Sequence, residues 1–405
     1  MDTQEILAQV SEIPGLMTAE ELALLIRMAR GASNIVELGC FKGRSLAAMG
    51  LASPGAALTG VDAFGDMAHR GYKTGTEALV RKNLAKAGIE KANIIAKRTD
   101  EAALDWEEPI DLLHVDAGHS LEEVRADIAN WVSKVRPGGA VIFHDYGKAR
   151  AKKLDRPEVK QAVDEWATQN SEWVPVEQAG VSIAFRRLIA EEGALYVAYG
   201  AKALAGAKAS IASLHKFSPG LPVAVVSDKS LEPIADFTID HPDMSRGARD
   251  VKTRMYSLSP FRRTLYLDAD TEVKQSPEGT FNLLKWFDVA MGQDVNKTLG
   301  RATWKALLPE EIEATRTEVG LLEVIYYNSG VIAFRRNEAS RRFFQGWHQE
   351  WLRWQKQDQL ALMRSLFRHP VRIATMRDPW NTHIKTKARF VYHMHRTVAR
   401  EGAPG

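Results

Sequence analysis

VELGCFKGRS, residues 36–45, is the stretch on which the fold turns. Val36 and Leu38 close a short apolar strand, Gly39 and Gly43 turn the chain, and Ser45 opens a segment with helical spacing. A loop of this kind, running from a strand into a helix N-terminus, is where an α/β sheet takes a nucleotide-like ligand. The spacing Gly39-Cys-Phe-Lys-Gly43 is not the G-x-G-x-x-G of dinucleotide binding. Glu37, two residues before the first glycine, adds a carboxylate that repels a pyrophosphate and attracts a cation. Gly39, Phe41, Gly43 and Ser45 are expected to border the ligand, the glycines letting backbone come close to it.

On either side of that loop, short apolar runs alternate with amphipathic stretches. NIVELG, ALTGVDAF, NIIAKRT, IDLLHVDAG and AVIFHDY read as buried strands, separated by segments such as SLEEVRADIANWVSKV. This is the pattern of a parallel sheet with crossover helices. WVPVEQAGVSIAFRR then reads as two strands around a glycine turn, an antiparallel close. A second alternating series follows: ALYVAYG, PVAVVSD, TLYLDADTEV, VAMGQ, YNSGVIAFRR and RFVYHMHR. The expectation is an α/β protein of two domains, residues 1–188 and 193–405, joined by a linker at 189–192. The 405 residues suit two or three domains of roughly 150 each. No repeat of solenoid length is present.

The net charge is only +3, and the basic residues are too dispersed for a nucleic-acid footprint. A single cysteine, Cys40, forms no disulfide within the chain and suits a reducing compartment. The start, MDTQEILAQVSEIPG, lacks a secretory pattern, and no apolar run is long enough to span a bilayer. A cytoplasmic location is the expectation. The sequence is silent on oligomeric state.

A sulfonium cofactor, S-adenosylmethionine, satisfies the cation that Glu37 invites. Asp62, ending the second strand, is placed to accept from ribose hydroxyls, and Arg98 and Thr99, after the third, to border adenine. Each is also an ordinary strand-end or capping residue when taken alone. At this point the chain resembles class I methyltransferases, and within them the small-molecule O-methyltransferases that include sugar O-methyltransferases. The residues carrying the resemblance are Val115-Asp116-Ala-Gly-His119-Ser, Pro137-Gly-Gly and Phe143-His144-Asp145-Tyr146, within about residues 30–188. The resemblance implies a Rossmann-like sheet, methyl transfer to oxygen, and Asp116 and Asp145 as ligands of a divalent ion. His144 stands where some relatives have another Asp. His119 is then a metal ligand, the general base that takes the hydroxyl proton, or simply a helix cap.

In the second half, TLYLDADTEV places Asp268 and Asp270 one residue apart behind an apolar strand, where their charges repel unless a cation joins them. The motif resembles the D-x-D of GT-A nucleotide-sugar glycosyltransferases, especially the glycogenin-like group. So do YYNSGV with Asn328, Asp358-Gln359 at a helix start, and a helix carrying Lys252 ahead of the acidic strand. The resemblance implies a Mn²⁺ or Mg²⁺ ion on Asp268, Asp270 and one of His393 and His395. It further implies a UDP-sugar donor bordered by Tyr199, Asp228 and Lys252, with Asn328 and Asp358 beside the sugar. Trp347, Trp351 and Trp354 recur at helical spacing and read as a core-facing stripe.

The expected function is a bifunctional methyltransferase and glycosyltransferase. Its partners are a nucleotide sugar and a saccharide or glycosylated acceptor, not nucleic acid and not a membrane. The alternative is that one half catalyses while the other only binds. A dinucleotide oxidoreductase is the weaker reading, opposed by Glu37 and the glycine spacing.

Overall fold

The computed structural model describes residues 1–65, 76–148, 155–229, 231, 234–240, 246–302, 308–377, 380–382 and 387–393. The chain divides after Ile189 into two compact units.

In the first unit, α1 (Thr3–Val10) and α2 (Ala19–Ala29) precede an alternating series. It runs β1 (Asn34–Leu38), α3 (Arg44–Ala52), β2 (Ala57–Val61), α4 (Glu77–Lys86), β3 (Asn93–Ile95) and α5 (Thr99–Leu104). It continues with β4 (Ile110–Val115), α6 (Leu121–Trp131) and β5 (Val135–Phe143). A short pair, β6 (Gly147–Lys148) and β7 (Asp155–Arg156), leads to α7 (Pro157–Gln169) and the hairpin β8 (Trp173–Ala179), β9 (Ser182–Arg187). The sheet order is β3-β2-β1-β4-β5-β9-β8, with β1 to β5 parallel and the last two antiparallel. Alternation along each strand feeds two cores: Ile35, Leu112 and Ile142 face α2 and α3, whereas Val36, Leu113 and Val141 face Trp131 and Trp166. Strand order reverses between β1 and β4, which opens a crevice at the C-terminal strand ends.

The second unit begins with β10 (Ala190–Val197), α8 (Gly200–His215), β11 (Val223–Ser227), β12 (Phe237–Asp240), α9 (Ala248–Thr253) and α10 (Met255–Leu258). Then come β13 (Phe261–Leu267), β14 (Thr271–Val273), α11 (Glu278–Leu283), β15 (Val289–Thr298), α12 (Pro309–Val319) and β16 (Ile325–Arg335). It closes with α13 (Glu338–Trp354), α14 (Asp358–Arg368), β17 (Ile373–Met376), β18 (Asn381–Thr382) and β19 (Val391–His393). The main sheet runs β12-β11-β10-β13-β16-β15-β17, and a small sheet runs β14-β19-β18. Four strands on one side are parallel, and β16 enters antiparallel to both its neighbours.

Three expectations are corrected. Residues 190–192, read as linker, begin β10: Ala190 pairs with Phe261 and Glu192 with Arg263. Their polarity belongs to a strand end, where Glu191 meets Arg262 and Glu192 meets Arg263. The helix expected to carry Lys252 up to the acidic strand is broken at Arg254 into α9 and α10. Of the three tryptophans on α13, Trp347 and Trp351 are buried, but Trp354 is only half-buried. Strands β12 and β17, too short for a periodic signal, add edges that the sequence reading lacks.

Candidate functional site

In the first unit the ladder carries the acidic residues to one sheet edge. Gly39 N donates to Val61 O, Asp116 N to Leu38 O, and His144 N to Val115 O. Gly39 has φ +84°, and a Cβ there would lie 2.2 Å from Asp116 O, so only glycine lets the β1 loop pass over the end of β4. Gly43 also has φ +84° and caps α3.

Asp116, His119, His144 and Asp145 gather at that edge. His144 Nδ1 lies 3.1 Å from Asp116 Oδ1, and His119 Nε2 lies 2.9 Å from Asp145 Oδ2. His144 Nε2 is 3.8 Å from Glu21 Oε2. Burial opposes a proton on His144, but the charge of Asp116 and contacts with Glu21 outweigh it and hold the imidazole pKa well above its ordinary value. Burial likewise works against ionising Glu21, yet His144 and the backbone N–H groups of Thr18 and Val181 pull its pKa down to about 2. Asp116 is lowered against its burial by His144. Asp145 sits at φ 57°, a left-handed conformation that is costly for a residue other than glycine and common at functional sites. Ser120 and Glu123 form the capping box of α6, so capping is not the task of the His119 side chain. His119 Nδ1 is buried without a hydrogen-bond partner among the described residues.

The expected cofactor-binding residues divide. Phe41, at φ 49°, and Ser45 lie in and just after the glycine loop. Asp62 reaches that loop, its two oxygens accepting from Phe41 N and Phe64 N at 2.8 Å, and burial raises its pKa. Glu37 is corrected: it is 0% exposed and hydrogen-bonded at 2.8 Å to His114 on β4, so it does not line the crevice. The register pairs Glu37 with His114, a contact that strand spacing alone does not reveal. Thr99 turns its hydroxyl to Asp127, and Arg98 is exposed beside Asp100. Burial lifts Asp127 to about 6.

In the second unit β14 continues directly from the Asp-Ala-Asp turn and pairs with β19, setting Thr271 opposite His393. Asp268, Asp270 and His393 therefore offer ligand atoms within 4.8 Å of one another. His393 Nε2 lies 3.1 Å from Asp270 Oδ1 and 3.7 Å from Asp268 Oδ2. The Gly of YYNSGV is required here, since a Cβ on Gly330 would lie 2.2 Å from His393 Cε1. His395 lies outside the described residues.

Lys252 and Asp358 pair with each other beside Asp268. Lys252 Nζ contacts both oxygens of Asp268, at 3.0 and 3.1 Å, Asp358 Oδ2 at 3.1 Å, and Ser329 Oγ at 3.3 Å. Asp358 is buried at the start of α14, accepting from Ser329 Oγ at 2.7 Å. Burial disfavours both charges, but Asp268 and then Asp358 raise Lys252, and Lys252 lowers Asp358. Asn328 Oδ1 accepts from Gly330 N and Asn381 Nδ2, and its Nδ2 donates to Asp294. Tyr199 precedes α8 and Asp228 is exposed after β11, both at C-terminal strand ends of the parallel half.

Sequence reasoning missed Glu21, Asp294 and Tyr266. Tyr266 donates to Asp268 Oδ1 at 2.7 Å, and Asp294 accepts from Asn328 and Gln359. The period-two spacing of Tyr266 and Asp268 was a legible signal; the other two contacts join residues far apart in the chain.

Residues 36–146 match a family described as "Methyltransferase domain". The matched segment runs from β1 to just past β5 of the first unit's Rossmann-like sheet. An uncharacterized protein, y4gI, of Sinorhizobium fredii is 40% identical over 58 residues, which are 14% of this chain and 6% of that protein. Among solved structures, an O-methyltransferase from Bacillus cereus in complex with SAH is 16% identical, covering 46% of this chain and 90% of its own, with TM-score 0.33. The O-methyltransferase TomG from Streptomyces achromogenes, in complex with SAM, is 17% identical over 46% and 90%, with TM-score 0.34. No helix among the described residues is long and apolar enough to cross a membrane.

Proposed function

We propose that the chain is a bifunctional transferase. The first unit moves a methyl group from S-adenosylmethionine to a hydroxyl oxygen. The second, of GT-A type, moves a sugar from a UDP-sugar to a saccharide or glycosylated acceptor. The reading of the first unit rests above all on the His119–Asp145 pair at the sheet edge. Bound there, S-adenosylmethionine supplies an electrophilic methyl on a sulfonium. Asp145 orients His119, the base that takes the acceptor hydroxyl proton. Asp116, His144 and Asp145 offer ligand atoms within 4.8 Å of one another, a set that would suit a divalent ion of the kind inferred for the sugar-methylating relatives.

The reading of the second unit rests on the convergence of Asp268, Asp270 and His393. Two carboxylates and an imidazole suit Mn²⁺, which would supply positive charge to a departing diphosphate. In this reading Tyr199 and Asp228, at C-terminal strand ends, would border the nucleoside, and Asn328 the sugar.

Isothermal titration with S-adenosylmethionine and with NAD tests the first half: the former is expected to bind, and binding of NAD alone would refute it. For the second, UDP-sugars with Mn²⁺ are expected both to raise the melting temperature and to release UDP. Protection without release would leave that unit a binding module.

A further inference from the structure

The acidic pair of the second unit already has a cation. Lys252 Nζ lies on both oxygens of Asp268 and on Asp358, and its side chain is only 11% exposed. Tyr266 holds Asp268 Oδ1 from another side. A divalent ion seated between Asp268, Asp270 and His393 would therefore sit a few ångströms from a buried ammonium. Like charges at such a distance repel strongly where water is scarce. Asp270 is the more open carboxylate of the pair, 40% exposed against 24% for Asp268.

From this geometry we propose that Lys252 is a built-in counter-cation that keeps a free divalent ion off the Asp268–Asp270–His393 site and yields only when the ion arrives with a nucleoside diphosphate. The diphosphate brings the negative charge that offsets both cations at once, giving the ammonium an anionic partner beyond Asp268. A bare ion brings none. The fold supports the device. Lys252 is fixed at the end of α9 between β13 and α14, gripped by Asp268, Asp358 and Ser329, so its charge cannot simply swing into solvent. The inference rests on the sugar-transfer reading of this unit and adds to it an order of binding: metal and nucleotide together, not metal first.

Mn²⁺ binding to the full chain, followed by the electron paramagnetic resonance of free Mn²⁺, is the test, with and without UDP. Wild type is expected to bind Mn²⁺ weakly alone and at least tenfold more tightly with UDP. Lys252→Met should bind Mn²⁺ alone at least tenfold more tightly than wild type, and Lys252→Arg should restore the weak binding. Because Lys252→Met strands buried Asp358, the double variant Lys252→Met/Asp358→Asn, which keeps the Ser329 hydrogen bond, should show the same gain in affinity. Adding Asp270→Asn to either variant should abolish that gain. Unchanged or weaker Mn²⁺ binding in both Met variants, with Asp270→Asn still costing affinity, would overturn the counter-cation role while leaving the metal site standing. No Mn²⁺ binding by any form, with or without UDP, would sink the metal reading and this inference together.

Discussion

Glu21 shows how one carboxylate can tie a site to the stability of its fold. It caps α2 through Thr18, accepts from Val181 N at 2.9 Å on the far hairpin, and faces His144. Its pKa in the folded state, about 2, lies below the ordinary 4.5. The stabilisation is therefore complete above about pH 4.5 and is lost as pH falls toward 2. The shift corresponds to about 3 kcal/mol. Urea unfolding at pH 6 and pH 3.5 is expected to show a steeper loss for wild type than for Glu21→Gln. Parallel losses would mean that Glu21 is not the acid-sensitive group. None of this could be read in the sequence, because Glu21 and Val181 are 160 residues apart and the capping box gives Glu21 a sufficient local role. Asp62, Asp116 and Asp268 were legible because each ends an apolar run at a point where a parallel strand must stop.

Among the elements, β14 and β19 decide whether His393 meets the acids, and β16 supplies the space. Gly330→Ala should push the His393 ring aside and weaken Mn²⁺ binding measured with UDP by about tenfold or more, with secondary structure intact by circular dichroism. Helices α12, α13 and α14 are joined by a buried charge network. Arg364, 0% exposed, bonds Glu350 at 2.8 Å, Glu311 at 3.1 Å and Thr315 at 2.6 Å. Arg364→Met leaves buried Glu311 without its ion partner, Glu350 keeping Arg353 and Arg368, and should cost about 3 kcal/mol in urea unfolding. A loss under 1 kcal/mol would contradict it. The sequence placed Asp358 at a helix start, but nothing in its spacing marks Arg364 as inward-facing.

For the molecule as a whole, the alternation of apolar runs and amphipathic stretches predicted two α/β sheets, and the described residues form two seven-stranded sheets with two small ones beside them. What the sequence concealed is where polarity means strand rather than link: Glu191 and Glu192 look solvent-bound until their arginine partners on β13 are seen. Fragments 1–189 and 190–405 are each expected to fold cooperatively alone, each giving a single melting transition. A fragment that stays unfolded would show that the units depend on one another. The account as a whole is most directly tested by UDP release from a panel of UDP-sugars, with the full chain, Mn²⁺ and an EDTA control. It predicts turnover with at least one sugar, abolished by EDTA and by Asp268→Ala or Asp270→Ala in protein that remains folded. Turnover that persists in both variants, or that ignores EDTA, would contradict it.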